Sequence, residues 1–230
     1  MSDKPIPHPA KFSDEVIRTL SAIFIEHNIT GTGFHPFAGV SKGVDQLESP
    51  NRYIIGLELE PEWAEQKRGT VTGDVLKLAS LGFKPAMFDF AFWSPTYGNR
   101  MADHHVAKDD SKRHTYTHYI GRELDENNTG KMQWGDEYRA FHQNAYKRIL
   151  WTVKPGGWVV LNVSDHIRQG TVQKVSAWHK GTLARLGVEW LDGVERSYIV
   201  GTRRNRHGSN ADARVLHEWV FIGRKKVEGL

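Results

Sequence analysis

Apolar residues at Val16, Ile17, Leu20, Ile23 and Phe24 fall at offsets 0, 1, 4, 7 and 8 and therefore share one face of a helix. Ser13 is placed to cap that helix, Asp14 and Glu15 sit in its first turn where the macrodipole favours carboxylates, and the spacing predicts an end near Asn28. A short apolar stretch then runs into Gly33-Phe34-His35-Pro36-Phe37-Ala38-Gly39, and a second, Tyr53-Ile54-Ile55-Gly56-Leu57, runs into Glu58; both read as buried strands ending in polar or Gly-rich turns. Residues 71–74 are a candidate third strand, and 87–93 is the most strand-like segment, stopping at Ser94-Pro95. Residues 98–135 show neither period, and a loop of that length is usually functional or disordered. A helix is predicted after Asp136, with Tyr138, Phe141, Ala145, Ile149, Leu150 and Val153 on its apolar face and Lys154-Pro155-Gly156-Gly157 as its stop. Residues 158–163 read as a buried strand, 172–186 as a helix, and 189–200 and 216–222 as two closing strands that neighbour each other antiparallel.

Strands alternating with helices, then a strand pair, argue for an α/β fold with a doubly wound, mostly parallel sheet and an antiparallel C-terminal pair. In such a sheet ligands sit outside the carboxyl ends of the strands, where strand order reverses. The composition narrows what those ends can do. The chain has 230 residues, one domain's worth, and no cysteine, which excludes disulfides, thiolate zinc sites and thiol nucleophiles. No apolar run approaches about 18 residues, and Lys4 with a Pro-rich start replaces the apolar core of a signal peptide. A soluble, cytoplasmic protein is expected, forming a single domain over 1–230 with a long inserted loop at 98–135 and a basic loop at 196–214.

The chemistry-bearing residues cluster just after strands. Phe37-Ala38-Gly39-Val40-Ser41-Lys42-Gly43 offers glycines that let backbone approach a ligand and open a helix whose N–H groups face it. Glu58, at the end of the second strand, is placed to accept hydrogen bonds from a ribose hydroxyl pair, with Glu60 as a competitor two residues on. Asp74 follows the third strand, where a carboxylate either accepts from the exocyclic amino group of a purine or caps a turn. A Gly turn, an acid after strand two and an acid after strand three together form a nucleoside-binding series.

The fourth strand ends in Ser94-Pro95-Thr96-Tyr97. Here the chain resembles the amino-methyltransferases that use S-adenosylmethionine to methylate exocyclic amino groups, whose signature after this strand is Asp, Asn or Ser, then Pro-Pro, then an aromatic. Ser in the first place looks most like the N4-cytosine DNA methyltransferases. His8-Pro9-Ala10-Lys11-Phe12-Ser13, His35-Pro36-Phe37-Ala38-Gly39, Gly56-Leu57-Glu58 and Gly73-Asp74 fall in the family's order, so the resemblance spans roughly 8–164, with a weaker echo at His217-Glu218-Trp219. It implies a Rossmann-like methyltransferase sheet. It also implies that Phe12 packs on the cofactor adenine, Glu58 holds the ribose, Asp74 accepts from the adenine amino group, and His35, Phe37 and Gly39 line the methionine end.

An aromatic amino nitrogen is a poor nucleophile because its lone pair is delocalised into the ring. The Ser94 hydroxyl and the Pro95 carbonyl can accept the two amino hydrogens and draw that density back, while Tyr97 stacks on a flipped base. Positioning and preorganised electrostatics then supply most of the rate, without a strong base or a metal. Methylation at cytosine C5 in neighbouring enzymes proceeds through a cysteine that this chain lacks. Two departures stand out. His35 replaces the usual Asp, which would help hold the cofactor's ammonium, and Thr96 replaces the second Pro, which loosens the turn.

Arg196, Arg203, Arg204, Arg206 and Arg214 stand against Asp212 alone, and this segment accounts for the whole net charge of +4. With Gly and Asn interleaved it reads either as a basic loop for nucleic-acid phosphates or as an ordinary solvated loop. The 98–135 segment, with four of the twelve histidines, is expected to close over the base or to read the target. His104-His105 beside Asp103 does not predict a metal site, since adjacent histidines on irregular backbone rarely converge. Asp165-His166, after the fifth strand, would touch the target base or cap a helix. The expected partner is nucleic acid, most of all double-stranded DNA, modified at N4 of cytosine ahead of N6 of adenine. An RNA or ribosomal RNA amino-methyltransferase, and an inactive nucleic-acid-binding module with the same fold, are the alternatives.

Overall fold

The computed structural model describes residues 5–8, 12–96, 115–168, 170–193, 196–199, 215 and 217–227. In chain order the elements are α1 (Asp14–Glu26), β1 (Gly31–Pro36), β2 (Arg52–Glu58), α2 (Pro61–Ala64), β3 (Thr70–Thr72), β4 (Phe88–Trp93), α3 (Tyr116–Ile120), α4 (Asp136–Thr152), β5 (Val153–Ser164), β6 (His166–Arg168), β7 (Thr171–Gln173), α5 (Val175–Arg185), β8 (Val188–Trp190), β9 (Arg196–Ile199) and β10 (His217–Lys225). Short 3-10 turns add Val44–Leu47, Val75–Leu81 and Thr129–Lys131.

The main sheet runs β3-β2-β1-β4-β5-β10-β8, with β9 paired to β10 beside β8. β1 is parallel to both β2 and β4, so strand order reverses between β1 and β4. β10 is antiparallel to β5, β8 and β9. The doubly wound expectation with an antiparallel C-terminal end therefore holds.

Two cores sandwich the sheet. On one face α1 buries Val16, Leu20, Ile23 and Phe24 against Phe90, Phe92, Val160 and Ile222; on the other, Tyr146, Ile149 and Leu183 of α4 and α5 cover Phe88, Trp93, Val159 and Leu161. α1 starts as expected, with Ser13 Oγ accepting from the Val16 amide at 3.2 Å. Each fully buried Leu, Ile or Phe side chain contributes about 1.5–3 kcal/mol, so this packing rather than helix propensity holds α1 in place. β4 places Phe88 and Phe90 on opposite faces although they are two residues apart, because its register with β5 shifts between them. Asp89 occupies the irregularity and secures it, accepting from the Thr32 amide at 2.8 Å and from Lys154 Nζ at 2.6 Å.

Three expectations are corrected. The Gly-rich stretch after β1 opens no α-helix but only the turn Val44–Leu47, since just Val44 and Leu47 there reach the core and Pro50 follows. The helix expected over 172–186 starts at Val175, because Thr171–Gln173 pairs antiparallel with His166–Arg168 as β7 and β6. The single strand expected over 189–200 is broken into β8 and β9 at Asp192-Gly193, where Gly193 takes the left-handed conformation (φ 70°).

Candidate functional site

The carboxyl ends of β1, β2, β4 and β5 and the start of β10 meet at one cleft. Its wall includes Phe12, His35, Phe37, Glu58, Asp74, Ser94 and Pro95, brought together from 83 positions of chain by the parallel register of β2, β1 and β4.

The acidic side is built with care for every buried oxygen. Glu58 is 7% exposed; its Oε2 accepts from the Gly39 amide at 2.7 Å and its Oε1 from the Glu60 amide at 3.1 Å. Burial, reinforced by the neighbouring Glu60 carboxylate and opposed by those two amides, pushes its pKa up to about 7. Glu60 does not compete for the cleft. Its carboxylate turns away to accept from Arg122 Nη2 at 2.8 Å, the Asp125 amide at 3.0 Å and Asn128 Nδ2 at 2.8 Å. Asp74 is a turn cap, its Oδ1 accepting from the Leu76 amide at 2.8 Å, and it also lines the cleft, where Oδ2 accepts from Asn127 Nδ2 at 3.0 Å.

The aromatic side is a stack. Phe12, His35 and Phe92 lie face to face, with His35 centred 5.5 Å from Phe12 and 4.5 Å from Phe92. His35 Nδ1 donates to the Phe92 carbonyl at 3.0 Å, and burial pulls its pKa down to about 4, so the ring is neutral with Nε2 as an acceptor. The loop beyond β1 is strained: Phe37 and Ser41 hold φ of 58° and 48°, a region non-glycine residues seldom occupy. Gly39 lies just behind the wall rather than on it, with φ 52° and a Cβ position only 3.2 Å from the His8 ring.

At the sheet's switch point Ser94, Pro95 and Thr96 line the cleft directly after β4. The Tyr138 hydroxyl donates to the Thr96 carbonyl at 2.6 Å. Tyr97, His104, His105, Arg203, Arg204 and Arg206 lie outside the described residues. Arg196 does not join the site: its guanidinium pairs with Glu26 at 2.7 Å, at the far end of α1, roughly 20 Å of helix from Ser13. Asp165 is a cap, not a cleft residue, accepting from the Ser176 amide at 2.8 Å and its hydroxyl at 2.7 Å.

The segment expected to close over the site does supply part of its wall, but the residues of that wall were not singled out from the sequence. Tyr116, Asn127, Asn128 and Thr129 come from the aperiodic segment, Phe141 from α4, Asn162 from β5 and Glu218 from β10. The segment's described part closes against the acidic side of the cleft, clamped by Arg122 on Glu60 and Glu62. The detectable signal was Asn127-Asn128 beside an acid-rich partner strand end.

No protein-family model matches the chain, and a search of curated proteins finds no relative. Solved structures do resemble it. The PH0226 protein of Pyrococcus horikoshii OT3 superposes with a TM-score of 0.55 at 11% identity, over 95% of this chain and 93% of that one. The N-methyltransferase NodS of Bradyrhizobium japonicum WM9, in complex with S-adenosyl-L-homocysteine, gives 0.51 at 10% identity over 92% and 86%. The [4+2]-cyclase SpnF gives 0.54 at 15% identity over 95% and 85%. The fold is thus the Rossmann-like fold of S-adenosylmethionine-dependent methyltransferases. A cyclase among its neighbours shows that this fold alone does not dictate the reaction, which must be argued from the site. Among the described residues no helix is long and apolar enough to cross a membrane.

Proposed function

We propose that the protein is an S-adenosylmethionine-dependent amino-methyltransferase of nucleic acid, acting on a flipped base in DNA, with N4 of cytosine favoured over N6 of adenine. The observation that carries this reading is the opening of Ser94-Pro95-Thr96 into the same cleft as Glu58 and Asp74.

The cleft suits this cofactor better than a phosphate-bearing one. Among its described lining residues three carboxylates, Glu58, Asp74 and Glu218, face one ammonium, Lys42, which is itself drawn to Asp14 at 3.3 Å. No α-helix follows the β1 loop to offer a pyrophosphate its N-terminus. A ligand carrying a sulfonium and an ammonium matches the negative wall, and neutral His35 leaves that task to the carboxylates. Glu58 would take the ribose hydroxyls, Asp74 the adenine amino group, and Phe12 the adenine face; bound there, the cofactor supplies an electrophilic methyl group.

Ser94 Oγ and the Pro95 carbonyl accept from the target amino group and hold its lone pair toward the cofactor. A base supplied by a polymer must reach the rim where β4 and β5 end and β10 begins. Ile199 pairs with His217, and Glu218 with Ser164, so the chain enters and leaves the arginine-rich 200–216 segment at this rim. That supports a polyanionic partner.

The experiment is transfer of labelled methyl from S-adenosylmethionine to mixed DNA and RNA, followed by digestion to nucleosides. Label in DNA as N4-methylcytosine is the expected result; label in RNA alone would transfer the function to that polymer. Ser94→Ala should cut transfer by about a hundredfold while cofactor affinity stays within about twofold. Equal loss of both would make the turn structural. Reversing Arg203 and Arg204 to Glu should flatten the salt dependence of DNA binding.

A further inference from the structure

Behind the cleft lies a buried polar chain that the proposed chemistry does not use. Tyr138, Tyr146 and His179 are each 0% exposed. Tyr146 Oη lies 2.6 Å from His179 Nδ1, His179 Nε2 lies 3.2 Å from Tyr138 Oη, and Tyr138 Oη donates to the Thr96 carbonyl at 2.6 Å. Only one arrangement of protons satisfies all three contacts with a neutral imidazole. A carbonyl can only accept, so the one hydroxyl proton of Tyr138 is committed to Thr96. Tyr138 must then accept from His179 Nε2–H, which leaves Nδ1 bare to accept from the Tyr146 hydroxyl. Burial lowers the His179 pKa well below its ordinary value and keeps the ring in this neutral state.

The chain therefore has a direction, from the core of α4 through α5 to the turn after β4. Its end point is telling. Thr96 is where the amino-methyltransferase signature carries a second proline, whose ring fixes the backbone without help. We propose that Tyr138, oriented by His179 and Tyr146, is a positioning residue that clamps the Ser94-Pro95-Thr96 turn and supplies from the core the rigidity which Thr96 withholds. This rests on the reading of Ser94 and Pro95 as acceptors for the target amino group. In that geometry a small shift of the turn misaims both acceptors at once, while the cofactor wall at Phe12, Glu58 and Asp74 stays in place.

Three variants test it: Tyr138→Phe, Thr96→Pro, and the two combined. Each is followed by amide hydrogen exchange of the peptide spanning 93–97, by calorimetric titration with S-adenosylmethionine, and by single-turnover methyl transfer. Tyr138→Phe should speed exchange in that peptide about tenfold, the scale of one buried hydrogen bond, and slow transfer about a hundredfold, with cofactor affinity unchanged. Thr96→Pro in the Tyr138→Phe background should restore both, because the ring replaces the clamp; a general packing defect at Tyr138 would not be repaired from residue 96. Unchanged exchange in Tyr138→Phe, or failure of Thr96→Pro to restore it, overturns the proposal. If wild-type protein transfers no methyl group, the functional reading fails, yet the exchange comparison still decides whether the clamp exists. Should Tyr138→Phe not fold, His179→Asn keeps the acceptor for Tyr146, removes the donor to Tyr138, and should raise exchange in the same peptide.

Discussion

The Gly39 amide and the Glu58 carboxylate are joined across 2.7 Å, so the loop after β1 is tied to the end of β2 by the same group that faces the cleft. A ligand that hydrogen-bonds Glu58 is therefore also felt by the strained Phe37–Ser41 backbone. Site assembly and site occupation share one side chain.

The first prediction concerns the pH dependence of that side chain. The folded-state pKa of Glu58 is raised, to about 7 from 4.5, so the folded protein holds a proton that the unfolded chain has released between those values. Stability contributed by the protonated form is full below about pH 4.5, falls as pH rises through about 7, and is lost above it, by about 3 kcal/mol at most. With Glu58 in its proposed role, ribose hydroxyls donate to the ionised carboxylate, so S-adenosylmethionine affinity should rise from pH 6 to pH 8 with uptake of the ligand releasing a proton. Titration calorimetry in two buffers of different ionisation enthalpy measures this. Glu58→Gln should abolish the proton release; its persistence would assign it to another group.

Glu60 carries a different load. It is 1% exposed and accepts from Arg122, Asp125 and Asn128, so it anchors the segment that walls the cleft. Arg122→Ala should destabilise the protein by about 2 kcal/mol, less than a fully buried pair costs because Arg122 is 40% exposed. Urea denaturation reads the loss, and amide exchange should rise within Tyr116–Ile120 first.

Asn127 tests how the cleft treats an adenine edge. Its Nδ2 lies 3.0 Å from Asp74 Oδ2, the acid proposed to take the adenine amino group. Asn127→Asp sets a second carboxylate there and should weaken S-adenosylmethionine binding about tenfold, whereas Asn127→Ala should cost only a few-fold. Equal affinities for wild type and Asn127→Asp would remove Asn127 from the adenine site.

Gly33 on β1 is fixed by packing alone. A Cβ there would stand 2.1 Å from the Phe90 ring, which is fully buried between α1 and the sheet. Gly33→Ala should cost about 3 kcal/mol, the upper range for overpacking, and a thermal melt within a degree or two of wild type would show that Phe90 has room to move.

Much of this was legible in the sequence because it depends on local pattern. The α1 stripe, the β4 stop at Ser94 and the acids after β2 and β3 follow from periodicity and strand-end chemistry, and the cleft gathers Phe12, His35, Phe37, Glu58, Asp74, Ser94 and Pro95. What was not legible depends on partners far along the chain. Where Glu60 turns instead of the cleft is decided by Arg122 and Asn128, more than 60 positions away. Arg196 belongs by composition to a basic cluster, yet Glu26, 170 positions earlier, draws it to the opposite end of α1. The break at Asp192-Gly193 was marked by a turn dipeptide that the surrounding apolar run obscured.

The rung between Ile199 and His217 has one further consequence. Two residues opposed in an antiparallel ladder stand about 5 Å apart, so the backbone departs and returns at nearly one point. The sheet thus makes no demand on the length or composition of what is spliced between them. Residues 200–216 could be exchanged, shortened or rewritten while the sheet and the cleft stayed untouched, which makes this junction the place where the chain can change most at least cost to the fold.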